Sequence, residues 1–277
     1  MRLTEKQIII LEALARFKYL TSQQLQIIFT SKSTSAINTS IRSLKGFKYP
    51  LIKSLSFWIT PWHGKLPHIH FLTSAGIKVL VEQLSIPLHK IYAPTHRNSF
   101  FQRDYFHRIS SITFNILFQR WLINQGHQLY FFKSYFNRPK HENGHKAETT
   151  ITNWGYKSEP DGIGLYFAHT QPHLFLFEQH NGVDAKRAIK QITHHCYGLA
   201  NGAASEQFKL NKPVKIYYVF EHESCLKAAL NHFEKDNWLM KFRGHFYFKT
   251  NQALLSNFAD NWQMPWSENA KQFCSQQ

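Results

Sequence analysis

The sequence predicts a mixed α/β chain in two parts, a helical N-terminal domain over residues 1–90 and an α/β layer domain over residues 91–277. Three observations carry this. Two capping boxes precede an amphipathic third segment near the N-terminus; a proline-bearing stretch around residues 86–98 loses helical periodicity; and the order of apolar patterns after it is α-β-β-β-α-β-α-β.

In Leu3-Thr4-Glu5-Lys6-Gln7-Ile8, Thr4 is placed to cap free N–H groups, Gln7 to reach back, and Leu3 and Ile8 to form a hydrophobic staple. A helix therefore starts there and ends near Arg16 or Phe17. The same device recurs in Leu20-Thr21-Ser22-Gln23-Gln24-Leu25 and starts a second helix. A third segment, Ser33 to Lys45, sets Ile37, Ile41 and Leu44 on one face and Asn38, Arg42 and Lys45 on another. Three short helices with a brief turn before the third describe a helix-turn-helix.

Pro50–Phe57 and His68–Leu72 read as two short strands around a turn-rich tip with Pro61, Gly64, Lys65 and Pro67. The next run, Thr73-Ser74-Ala75-Gly76-Ile77-Lys78-Val79-Leu80, resembles the segment that follows the wing in many bacterial winged-helix proteins, and the order of elements over residues 3–84 is similar to theirs. Beyond the boundary, Ser99 to about Gln125 carries an apolar stripe of Phe101, Tyr105, Ile109, Ile112, Ile116 and Ile123 and reads as a helix that packs on a sheet. Gln128–Phe132, Gly162–Phe167, His173–Gln179, Val214–Phe220 and Gly244–Phe248 read as strands. Asn137–Lys146, with Pro139 and Gly144, reads as a loop, and Asp184–Ala200 and Ser224–Lys235 as helices.

Lys and Arg number 33 against 17 Asp and Glu, a net charge of +16, which suits a protein that meets a polyanion. The excess is concentrated: residues 1–95 hold 12 basic side chains and only three acids, Glu5, Glu12 and Glu82. The expected partner is double-stranded DNA. On the third helix Asn38 and Arg42 are placed to reach base edges, with Lys45 and the wing residue Lys65 on phosphate, and Ser35 and Thr39 are further DNA-binding candidates. Cys196, Cys225 and Cys274 show no C-x-x-C spacing, so neither a disulfide framework nor a thiolate zinc site is expected. The longest early apolar run, Ile8–Leu11, falls far short of a span of about 20 residues, and the expected location is the cytoplasm.

Pro160-Asp161-Gly162 opens one strand and Glu178-Gln179-His180 closes the next. In antiparallel neighbours joined by a short turn, Asp161 and Glu178 reach one sheet end, where paired carboxylates are suited to Mg²⁺ or Mn²⁺. This pattern resembles the PD-(D/E)-x-K, or restriction-endonuclease-like, superfamily, in which the two acids bind metal and the Lys helps to activate water. Here His180 stands at the Lys position; it offers a general base near neutral pH without a permanent charge. Lys186 and Lys190, one turn apart on the following helix with His194 beyond, are candidates for a migrated Lys. A strand-end Asp, a solvated Glu and a basic helix face are the plainer readings of the same residues.

Taken with a helix carrying Phe106-His107-Arg108-Ile109, the run Phe175 to Gly182 and Tyr197, residues 3–235 resemble the replication-relaxation family, which includes plasmid mobilisation and relaxase-like nicking proteins of mobile elements. The resemblance implies a DNA-binding protein acting in plasmid mobilisation or replication, nicking at an origin with a divalent metal and meeting other mobilisation or replication proteins. Replacement of the Lys by His180 supports the alternative of a non-catalytic accessory or regulatory factor with a degenerate nuclease-like domain. A winged-helix regulator with a ligand-sensing second domain fits the domain order but leaves Lys186 and Lys190 unexplained. His68 and His70, on one face of a strand, read as a chance pair rather than metal ligands, and Tyr217 and Tyr218 as core.

Overall fold

The computed structural model describes residues 2–30, 33–57, 59–60, 64–92, 94, 104–137, 140–141 and 144–265. The chain divides into two compact units, residues 1–105 and 106–277.

In the first unit α1 (Glu5–Phe17) and α2 (Ser22–Phe29) both begin on complete capping boxes, Thr4 with Gln7 and Thr21 with Gln24. The third helix, α3 (Ser35–Gly46), buries Ile37, Ile41 and Leu44 and leaves its other side to solvent. Strand β1 (Ile52–Leu55) pairs antiparallel with β4 (Ile69–Leu72), and farther out on the hairpin β2 (Ile59–Thr60) pairs with β3 (Gly64–Lys65). Pro61 lies outside the described residues. Helix α4 (Ser74–Glu82) follows on a Thr73 cap. The glycine of the Thr73–Leu80 run has a steric cause: a Cβ on Gly76 would stand 2.2 Å from the Leu51 carbonyl oxygen, so α4 closes on the strand entry only without a side chain there.

The unit continues past residue 90. The Tyr92 N–H donates to the Ala15 carbonyl at 2.7 Å, and the Tyr105 hydroxyl donates to the Pro67 carbonyl at 3.0 Å while its ring meets Phe57 edge-on. The compact division therefore falls at residue 105, beyond the proline stretch that suggests a boundary near residue 90.

The second unit is a mixed α/β layer structure. Helix α5 (Tyr105–Asn124) leads into β5 (Gln128–Ser134); the start expected at Ser99, with Phe101, lies outside the described residues. Strands β10 (Gly162–Ala168) and β11 (Gln171–His180) come next, then α6 (Ala185–Ala200), α7 (Ala203–Gln207), β12 (Lys215–Phe220), α8 (Glu223–Lys235), β13 (Phe246–Thr250) and α9 (Asn251–Ser256). The five-stranded sheet runs β13-β12-β11-β10-β5; β10 is antiparallel to both neighbours, and β11, β12 and β13 are parallel.

Alternation along β11 fills both faces. Leu174 and Leu176 pack with Ile192, Cys196, Leu226 and Phe233 from α6 and α8, while Phe175 and Phe177 pack with Phe114, Phe118 and Trp262 on the other side. The Phe114 and Phe177 rings stack at 3.9 Å. The stripe expected on α5 holds at Ile112 and Ile116 but not at Ile123, which is exposed, because aromatic Phe114, Phe118 and Trp121 take the buried side. Gly164 gives the Phe175 ring its room, since a Cβ would lie 2.3 Å from that ring, and so serves packing rather than a phosphate loop.

The Asn137–Lys146 loop contains the small ladder of β6 (Lys140–His141) and β7 (Gly144–His145); Pro139 lies outside the described residues. A further hairpin, β8 (Ile151–Asn153) with β9 (Tyr156–Ser158), adds to the expected elements. The last strand starts two residues later than the sequence suggests, since a 3₁₀ turn, Leu239–His245, precedes it. Among the described residues no helix is long and apolar enough to cross a membrane. Cys196 and Cys225 are buried free thiols, and Cys274 lies outside the described residues.

Candidate nucleic-acid interface and carboxylate cluster

In the first unit α3 exposes a polar face. Ser35, Asn38, Thr39, Arg42 and Lys45 of α3 all reach solvent because their neighbours Ile37, Ile41 and Leu44 anchor the opposite side. Local bonds order the face: the Thr39 hydroxyl donates to the Ser35 carbonyl at 3.1 Å, and Arg42 approaches the Thr39 hydroxyl at 3.5 Å. A cleft of about 340 Å³ opens beside this helix, lined by Asn38, Arg42 and Lys45 from α3, by Ser22 and Gln23 from α2, and by Ser54, His68 and His70 from the hairpin. Among the described residues no acid lines it. Lys65 is exposed on β3.

His70 lines this cleft. It is 5% exposed, its Nδ1 lies 2.8 Å from the Ser54 hydroxyl, and its Nε2 lies 3.4 Å from the Ser22 hydroxyl. Burial, with Lys45 and His68 nearby, pushes its pKa down to about 4, so the ring is neutral.

In the second unit the antiparallel register sets Gly162 opposite Phe177, and the residues next outward, Asp161 and Glu178, meet at one end of the sheet. Asp161 accepts from the Gln179 N–H at 2.7 Å and pairs with His107 Nε2 at 2.8 Å. Glu178, 1% exposed, accepts from Gln191 Nε2 at 2.6 Å and faces His195 Nε2 at 2.6 Å. The Tyr218 hydroxyl, on the strand residue beside Glu178, donates to Gln191 Oε1 at 2.7 Å. Burial raises the Glu178 carboxyl well above the ordinary range, the adjacent Asp161 raises it further, and burial pushes His195 down to about 4. Burial thus disfavours charge on both members of the Glu178–His195 pair.

His180 lies on the same face of β11, buried near the Phe220 ring and Gly182; its Nε2 finds no hydrogen-bond partner among the described residues. Burial and Arg187 lower its pKa. Lys186 and Lys190 are exposed on α6, and among the described residues neither pairs with a carboxylate; the cation acting on Glu178 is Arg187, between them in sequence. Arg187, His107, Gln191 and His195 are therefore the cluster members that sequence reasoning left unassigned. Gln191 and His195 carried a signal: two polar side chains one turn apart on the helix stripe that also bears Ala188, Ile192 and Cys196.

The donor set falls short of a divalent-ion site as it stands. Both oxygens of Asp161 and both of Glu178 are engaged by protein groups, burial disfavours the charged form of Glu178, and among the described residues no group of three or more His, Cys, Asp or Glu side chains is arranged to hold a metal ion. Comparison of the chain with family models, with curated proteins and with solved structures returns no match.

Proposed function

We propose that this chain is a sequence-reading double-stranded DNA-binding protein whose first unit acts as a winged helix. The observation that carries the reading is the α3 face: Asn38, Thr39, Arg42 and Lys45 exposed together, beside a cleft that no acid lines among the described residues, in a stretch with 12 basic and three acidic residues. The order of three helices, hairpin and helix supports placing α3 in the major groove, with Lys65 on a phosphate. The resemblance to the replication-relaxation family extends the reading to plasmid mobilisation or replication.

For the second unit, the engagement of every Asp161 and Glu178 oxygen and the neutral, buried His180 favour an accessory or regulatory factor with a nuclease-like layer. One observation favours a nicking enzyme instead: the sheet brings Asp161 and Glu178 to a single end, where they are the residues that would hold Mg²⁺ or Mn²⁺. The test is incubation with supercoiled plasmid carrying the preferred duplex, with Mg²⁺, Mn²⁺ or chelator. The accessory reading expects retention of the plasmid on gels and no nicked circle. Nicking that needs metal and is lost in Asp161→Ala and Glu178→Ala would replace it with the enzyme reading.

A further inference from the structure

The hairpin and α3 are joined by an unbroken chain of side-chain hydrogen bonds. The Ser22 hydroxyl donates to Asn38 Oδ1 at 2.7 Å, Ser22 Oγ faces His70 Nε2 at 3.4 Å, and His70 Nδ1 faces the Ser54 hydroxyl at 2.8 Å. Proton counting gives the chain one direction. Ser22 has a single hydroxyl proton and spends it on Asn38, so toward His70 it can only accept, and His70 must carry its proton on Nε2. A neutral imidazole with Nε2–H has a lone pair on Nδ1, which takes the Ser54 proton. The chain runs from Ser54 to His70 to Ser22 to Asn38. Its last member is exposed on the helix face read above as the DNA-facing surface.

The consequence falls on the Asn38 amide. A free Asn presents either a donor or an acceptor to a base edge by turning its amide over, and so tolerates several base pairs. With Oδ1 tied inward to Ser22, Asn38 shows the groove its Nδ2 hydrogens. We infer that His70 and Ser22 are positioning residues that hold Asn38 as a hydrogen-bond donor, so that Asn38 selects a base edge presenting an acceptor: purine N7, guanine O6 or thymine O4. A cytosine N4 amino group at the same place meets donor against donor. This inference rests on the DNA-binding reading and adds to it a base class and the residues that set it.

The test is selection of preferred duplexes from a random pool by the full chain and its Ser22→Ala, Ser22→Thr, His70→Ala, Asn38→Ala and Asn38→Asp variants, with thermal unfolding of each. The expected result is one base position whose preference, about tenfold in the wild type, collapses in Asn38→Ala. The same position should collapse in Ser22→Ala, and in His70→Ala if that variant folds, while the rest of the site stays as selected. Ser22→Thr, which keeps the hydroxyl, should restore it, and Asn38→Asp, which offers only acceptors, should bind no better than Asn38→Ala. Selection by a folded Ser22→Ala indistinguishable from wild type would overturn the inference while leaving DNA binding intact. A wild type that enriches no sequence and binds no duplex would instead bring down the DNA-binding reading, and this inference with it.

Discussion

The carboxyl of Glu178 and the imidazole of His195 lie 2.6 Å apart, 1% and 2% exposed, and burial is the largest influence against charge on each. Glu178 meets two polar groups here, His195 Nε2 at one oxygen and the Gln191 amide N–H at the other.

Glu178→Gln keeps that pattern in nearly the same shape, so it should cost less than about 1 kcal/mol of stability. Glu178→Ala leaves Gln191 and His195 buried without their partner and should cost about 2–4 kcal/mol. Urea unfolding at neutral pH separates the two. Equal losses would mean that Glu178 is held as a charged carboxylate.

His70 gives a pH dependence with a definite sign. Its folded pKa, about 4, lies below the ordinary 6.5, so the unfolded chain binds the extra proton in between. The stability His70 provides is complete above pH 6.5 and is lost as the pH falls toward 4, by at most about 3 kcal/mol. Lys45 and His68 face the same ring and reinforce the trend. Relative to His70→Gln, wild-type protein should therefore lose its advantage in urea unfolding between pH 7 and pH 4.5. A constant gap would show that the ring titrates normally in the fold.

Two glycines should respond oppositely to a methyl group. At Gly76 the added Cβ would stand 2.2 Å from the Leu51 carbonyl oxygen, backbone that cannot give way without moving α4, and Gly76→Ala should cost about 1–3 kcal/mol. At Gly46, at the end of α3, an added Cβ would meet no other side chain or distant backbone within 4 Å among the described residues, so Gly46→Ala should be neutral or stabilise by up to about 1 kcal/mol. Thermal unfolding of both variants checks this pair.

What was legible in the sequence is local. Thr4 with Gln7 and Thr21 with Gln24 mark two helix starts because a capping box is complete within four residues. Asp161 and Glu178 could be paired because one short turn fixes the register between their strands. The β8–β9 hairpin and α7 could not be foreseen this way: they hold each other through Gln207, which accepts from the Thr152 N–H and donates to the Thr150 carbonyl across more than fifty residues of chain. His107, Gln191 and His195 reach the carboxylates only through packing of separate helices on the sheet, and His70 reaches Asn38 only through Ser22. No local pattern encodes those meetings.

The most direct measurement compares Arg42→Ala and Lys65→Ala by fluorescence anisotropy on the selected duplex and on a random one, each at several salt concentrations. Recognition through α3 predicts that Arg42→Ala loses about 1–3 kcal/mol on the selected duplex and far less on the random one. Lys65→Ala should weaken both alike and lower the salt slope by about one unit, as expected for one phosphate contact. Equal loss on both duplexes in Arg42→Ala, or binding by the wild type that ignores both sequence and salt, would contradict the account.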